Sequence, residues 1–157
     1  MFREIVRKKQ ALTREECLDI LKREKRGVLA LLGDEDYPYA VPHNHYYCEE
    51  DGKLYFHSGN SGHKIDAIKA HDKASYCVYG EGEPSDTWAL NFKSVIVFGR
   101  IQVVEDRETV VEMTRRLSRK FTSDEAYIQK EIDRHLHRTL LFSLTPEHIT
   151  GKRVNES

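Results

Sequence analysis

The sequence predicts an α+β domain, mainly β, in which short antiparallel strands form a small barrel with helices at its ends. Three observations carry this. Short apolar or alternating runs are separated by turn residues at hairpin spacing. The strands do not alternate regularly with long helices, which argues against a doubly wound parallel sheet. One stretch, Phe92 to Val104, is long enough to bend between two sheets.

Each element has a local reason. Residues 1–12 are basic and mixed, and read as a loose arm or a short strand. Thr13-Arg14-Glu15-Glu16 is a capping-box pattern and opens a helix whose apolar side is Cys17, Leu18, Ile20 and Leu21. Gly27 follows its basic last turn. Val28 to Leu32 is a short continuous apolar run, read as a buried strand. Gly33 to Asp36 turns the chain into a strand from Tyr37 to Cys48, which Pro38 and Pro42 confine to an edge or a bulge. Asp51-Gly52 is a hairpin signal leading into the strand Lys53 to His57.

Residues 62–71 have the apolar spacing of a short helix, and Ala74 to Tyr79 alternates as a strand. Gly80 to Asn91 is polar and holds the single tryptophan, Trp88. In Phe92 to Val104, Val95, Val97 and Gly99 share one face, and Ile96, Phe98 and Arg100 the other. Asp106 to Phe121 is a helix with a stripe of Val110, Met113, Leu117 and Phe121. Ser123-Asp124-Glu125 starts another, to about His137. Thr139 to Leu144 closes the barrel, and Pro146 to Ser157 trails off.

A chain of 157 residues is one domain, with a core over about residues 10–151. It carries 25 basic and 26 acidic residues, net −1 and well mixed, so nothing calls for a nucleic-acid partner. No run reaches the length of a membrane span, and the N-terminus lacks a signal-peptide core. Three widely spaced cysteines, Cys17, Cys48 and Cys77, argue against a disulfide framework and fit a reducing cytoplasm.

The stretch from Leu54 to Ile68 organises the chain. A strand breaks at Gly59-Asn60-Ser61-Gly62, and a helix restarts behind it. Ser58 and Ser61 bring hydroxyls, the two glycines let backbone N–H groups approach a ligand, and His63 and Lys64 follow. A helix start adds unpaired N–H groups and the positive end of its dipole. These are the parts of an anion site, with phosphate the expected anion. The match to a nucleotide-triphosphate loop is poor, because Ile65 stands where Ser or Thr would bind magnesium. The stretch also reads as an ordinary Gly/Asn/Ser turn with a solvated lysine.

Four segments then stand in a telling order: Gly27-Val28-Leu29-Ala30, Tyr37-Pro38-Tyr39-Ala40-Val41-Pro42, Leu54 to Ser58 followed by Gly62-His63-Lys64, and Ser94-Val95-Ile96-Val97-Phe98-Gly99. In order and spacing the chain resembles the pyridoxamine 5′-phosphate oxidase-like flavin-binding split barrels, and within them the nitroimidazole-resistance branch. The resemblance covers roughly residues 10 to 151. It implies a six-stranded antiparallel split β-barrel and a homodimer with FMN at its interface. Val41, Pro42, His43 and Asn44 would border the flavin ring, and His57 and Ser58 would lie beside ring and phosphate. Gly62, His63 and Lys64 would hold the phosphate. Lys93 and Ser94 would approach from the neighbouring strand, of this subunit or its partner. The true oxidases carry an arginine–lysine pair where His63-Lys64 stands and end in a segment with Trp and Arg that grips the substrate; this chain ends Gly151-Lys152-Arg153-Val154-Asn155-Glu156-Ser157.

FMN would itself supply hydride and electron transfer, with the protein orienting it. His57 is the candidate side chain for chemistry, since an imidazole titrates near neutrality; it could equally only hydrogen-bond backbone or phosphate. His43, His45 and Cys48 match no common zinc spacing, so no metal is expected. His135 and His137 do not share a helix face. Trp88 reads either as a lid over the flavin or as a cap on the barrel core. Three functions stay open: an FMN-dependent reductase of small electron-poor compounds such as nitroaromatics or quinones, a pyridoxine-phosphate-type oxidase, and a non-enzymatic flavin- or haem-binding dimer.

Overall fold

In the computed structural model, which describes residues 1–155, eight strands form one sheet. The expectation for Glu156 and Ser157, the last of the trailing residues, lies outside them. The chain runs α1 (Arg14–Arg23), β1 (Arg26–Leu32), β2 (Pro38–Asn44), β3 (Tyr46–Cys48), β4 (Lys53–Gly59), α2 (His63–Ala70) and β5 (Lys73–Tyr79). It continues through β6 (Glu83–Pro84), β7 (Leu90–Val104), α3 (Arg107–Arg119), α4 (Glu125–His135) and β8 (Thr139–Asn155). The order across the sheet is β2-β1-β5-β7-β8-β4-β3, with β6 on β7, and every pairing is antiparallel. The sheet curls until His43 of β2 meets Phe56 of β4 and Phe142 of β8, each with ring centroids 5.4 Å apart. The result is a half-barrel with helices, as expected of a split barrel.

The strand count departs from six in two places. The stretch read as one strand, Tyr37 to Cys48, is interrupted at His45, whose ring is drawn into the core, so β2 and β3 pair with different partners. Two residues of the polar segment, Glu83 and Pro84, add β6.

A larger difference is at the C-terminus. Pro146 and the residues after it do not trail off: β8 continues to Asn155, paired with β7 down to Asn91. Proline punctuation suggested a strand end at Leu144, but a bulge absorbs it. Phe98 pairs with His148 and Gly99 with Pro146, leaving Glu147 as the extra residue. The two chains come so close there that a Cβ on Gly99 would lie 2.1 Å from the Thr145 carbonyl oxygen.

The helices begin where the sequence places them. Glu16 N–H donates to Thr13 Oγ1 (3.2 Å) and Thr13 N–H to Glu16 Oε2 (2.9 Å), closing the capping box of α1. Asp106 and Asp124 accept from Thr109 N–H and Tyr127 N–H at the starts of α3 and α4. Cys17, Ile20 and Leu21 of α1 bury against the barrel. Inside lie Leu29, Phe56, Tyr76, Val95, Val97 and Phe142, with Phe56 and Phe142 stacked at 5.2 Å. On the other face of β4 and β8, Tyr55 and Leu141 pack under Val110 and Met113 of α3. That double cover explains why Leu54-Tyr55-Phe56 reads as a continuous apolar run rather than an alternating one. Just past α3, the Lys120 ammonium donates to the carbonyls of Glu24 (2.6 Å) and His45 (2.8 Å), tying α3 to the end of α1. Burial lowers its pKa to about 8.

The three cysteines are free. Trp88 is 88% exposed, so it does not cap the core. Among the described residues no helix is long and apolar enough to cross a membrane.

Candidate functional site

Register along β1 and β2 builds the site. Arg26 stands opposite Asn44, Gly27 opposite His43, and Val28 opposite Pro42. Tyr39, Val41 and His43 turn inward along β2, while Pro42 and Asn44 face out. Arg26 Nε donates to Asn44 Oδ1 at 2.8 Å, fixing the amide. Across from them, α2 starts at Gly62, whose φ of +118° suits glycine and whose end of the helix has no side-chain cap.

Lys64, in the first turn of α2, reaches back over this ground. Its Nζ lies 2.9 Å from His43 Nε2 and 6.0 Å from the centroid of the Phe142 ring. The tautomer of His43 follows. Its Nδ1 lies 2.9 Å from the Asn44 carbonyl, which can only accept, so Nδ1 carries the proton and Nε2 accepts from Lys64. Burial, reinforced by the Lys64 charge, pushes the His43 pKa down to about 4, so the ring is neutral. Desolvation also lowers the Lys64 pKa. Among the described residues no carboxylate makes a salt bridge to Lys64 or to Arg26. Two cations therefore face one space without an anion of their own.

That space is a cavity of about 300 Å³ lined by Arg26, Pro42, His43, Asn44, His57, Lys64 and Leu117. It brings together five of the residues singled out from the sequence: Pro42, His43, Asn44, His57 and Lys64. His57 sits on the outward face of β4, opposite Leu141. Its edge is exposed, yet the protein crowding the ring, together with Lys64, lowers its pKa and favours the neutral form.

Other expected residues lie apart from the lining. Val41 packs into the core. The Ser58 hydroxyl donates to the Gly59 carbonyl (2.8 Å). The His63 ring stacks on Tyr39 at 4.2 Å and accepts from Asp34 N–H at 3.3 Å, so what it can offer an anion is its backbone N–H at the helix start. Lys93 and Ser94 stand on β7, where Ser94 pairs with Tyr79 and Lys152 and lines none of these spaces, while Lys93 lies at a different mouth. Lys93 lines a cavity of about 630 Å³ with Arg23, Glu24, Gly82 and Arg153, and its Nζ is 3.6 Å from Glu16.

A third cavity, of about 510 Å³, shares Arg26 and Pro42 with the Lys64 cavity and Arg23 and Glu24 with the Lys93 cavity. The three cavities thus adjoin as a broken furrow from Lys64 past Arg26 to Lys93. The donor set fits an elongated anionic ligand: unpaired cations and an uncapped helix start at one end, and an open proline-edged surface beyond.

Arg26 was missed in the sequence. Its signal was faint, one more basic residue at the end of α1's basic stretch. Among the described residues no group of three or more His, Cys, Asp or Glu side chains is gathered as for a metal.

The family model described as pyridoxamine 5′-phosphate oxidase matches residues 13–153. No curated protein matches the sequence. Several solved structures share the fold. A candidate 5-nitroimidazole antibiotic resistance protein from Bacteroides thetaiotaomicron superposes with a TM-score of 0.77 at 18% identity, over 92% of this chain and 87% of that one. A FAD-binding protein from Mesorhizobium loti gives 0.65 at 25% identity, over 92% and 97%. A FAD and haem binding protein from Mycobacterium smegmatis gives 0.74 at 20% identity, over 95% and 74%.

Proposed function

Because the chain belongs to the pyridoxamine 5′-phosphate oxidase family, we propose that it binds FMN along the Lys64–Arg26 furrow and works as an FMN-dependent reductase of small electron-poor compounds. The observation that carries this is the pairing of two cations without carboxylates, Lys64 and Arg26, over a cavity that also presents Pro42, Asn44 and His57. The phosphate would sit with Lys64 and the open N–H groups at the start of α2. The ring would lie along Pro42 and Asn44. Lys93 stands at the far mouth, where a second copy of the chain would complete the cover, and the proposal includes a homodimer.

Bound flavin would supply the hydride or electrons. The chain's own residues do the rest. Lys64 and Arg26 neutralise the cofactor's phosphate and fix its position. Neutral His43, held by the Asn44 carbonyl and Lys64, keeps the lysine aimed. His57, neutral at pH 7, can donate its N–H to a substrate oxygen and pass on a proton taken from water. Overall a nitro or quinone acceptor gains two electrons and two protons, while an external reduced nicotinamide is oxidised.

The test is the absorption spectrum of purified protein titrated with FMN, before and after reduction, followed by turnover with a reduced nicotinamide and a nitroaromatic. A bound flavin spectrum with nitroaromatic-dependent nicotinamide oxidation is expected. Absence of flavin binding at micromolar FMN sinks the proposal.

A further inference from the structure

A fourth cavity adjoins the one at Lys64. It has a volume of about 370 Å³, within the ~300–1,000 Å³ usual for small-molecule sites. Helices α3 and α4 form its walls, and the end of β4 closes it. Asn44 and His57 line it as well as the Lys64 cavity, so the two spaces meet at those side chains.

Its lining is apolar where α4 and the turn around it approach, through Phe121, Ile128, Ile132 and Leu136. One polar group stands out. Thr114, 7% exposed, lines the cavity, and its hydroxyl oxygen, closed off in this rotamer, has no hydrogen-bond partner among the described residues; a turn about χ1 would bring it to the cavity. A buried threonine on a helix can satisfy its hydroxyl on a carbonyl of the preceding turn; this one does not. Its neighbour Ser118 does so, donating to the Thr114 carbonyl at 2.8 Å. A buried hydroxyl left unpaired is costly, and an oxygen acceptor brought in by a ligand removes that cost. At the rim, the Glu131 carboxylate lies 3.5 Å from His135 Nε2, which disfavours an anionic guest.

We infer that this pocket between α3, α4 and β4 is the substrate site, taking a small neutral aromatic compound whose nitro or quinone oxygen accepts from Thr114 while its ring packs on Ile128, Ile132 and Phe121. The inference rests on the reductase reading for its substrate class. It goes beyond that reading in assigning the site and the specificity-determining hydroxyl. A guest here meets Asn44 and His57 on the side of the cofactor furrow.

The experiment uses the flavin-titrated protein with its isoleucine methyl groups carrying carbon-13. Nitrobenzene and isopropylbenzene, nearly equal in shape, are the probes, and binding is read from the methyl shifts of Ile128 and Ile132. Both probes should move those two methyls. Thr114→Val, close to isosteric, should weaken nitrobenzene roughly tenfold and leave isopropylbenzene unchanged. Leu136→Trp, at the half-buried rim, should exclude both probes while flavin affinity, followed by fluorescence, stays as in the parent. Nitrobenzene shifts confined to other methyls, or equal effects of Thr114→Val on the two probes, overturn the inference. Loss of flavin binding with the Thr114-dependent shifts intact overturns the reductase reading and upholds the pocket.

Discussion

Replacing Lys64 by methionine should weaken FMN binding and spare riboflavin. Methionine keeps an unbranched apolar stem near the Phe142 ring, where Nζ stands 6.0 Å from the centroid, and removes only the charge and its donors. In the folded chain that charge is half-buried, rests on a neutral imidazole and makes no salt bridge among the described residues. Any phosphate held there would thus gain a full charge-assisted hydrogen bond. Such bonds contribute about 1.5–3 kcal/mol, or roughly tenfold to over a hundredfold in FMN affinity. Riboflavin has the same ring and no phosphate, so its weaker affinity should hardly change. Fluorescence titration of the two ligands measures the difference directly. Lys130→Met, on the exposed face of α4, is the control and should alter neither. Added salt should shrink the FMN difference, since the site is partly open to solvent. Equal losses for FMN and riboflavin would refute the reasoning, because they would make Lys64 a support of the fold rather than a phosphate ligand. No loss for either would move the phosphate elsewhere.

Gly99→Ala should destabilise the protein by about 1–3 kcal/mol or more in urea unfolding, because its Cβ would lie 2.1 Å from the Thr145 carbonyl oxygen; an unchanged midpoint would mean that the bulge shifts freely. Acid should weaken the fold before the carboxylates titrate. Burial holds His43 near a pKa of about 4 and His45 near about 3, below the ordinary ~6.5, so between those values the unfolded chain binds more protons and stability falls as pH falls. The slope reaches at most about 1.4 kcal/mol per pH unit for each ring. A His45→Gln variant should show a shallower decline of Tm between pH 6.5 and 4.5, and an identical decline would remove His45 as a cause. Thr13→Ala should cost about 1 kcal/mol by opening the capping box of α1, read from the same urea curves.

The legible parts of the sequence were those governed by local chemistry. The capping box at Thr13, the Asp51-Gly52 hairpin and the alternation through Val95–Arg100 each declare themselves within a few residues, and the structure has them as read. What escaped depends on distant partners. Pro146 looks like a strand end until β7 lies beside it and Gly99 makes room for a bulge. His45 looks like one more residue of an edge strand. Its departure into the core depends on Leu21 and on Tyr76, whose single hydroxyl proton is shared between His45 Nδ1 at 2.7 Å and the His43 carbonyl at 2.8 Å. In the candidate site, the Lys64–His43–Asn44 chain was approachable from the break at Gly59–Gly62. Arg26 and Thr114 were not, because a lone arginine before a strand and a lone threonine on a helix carry no pattern of their own.

The two borders of the sheet have a consequence for how copies of this chain can meet. One border is β3, three residues long. The other is β2, where Pro38 and Pro42 have no N–H to give. Neither offers the continuous row of donors that would let a foreign strand zip on. Growth of the sheet from chain to chain is disfavoured at both margins, by shortness at β3 and by proline at β2. Any contact between folded copies is therefore left to side chains on the broad surfaces rather than to backbone at the sheet's borders.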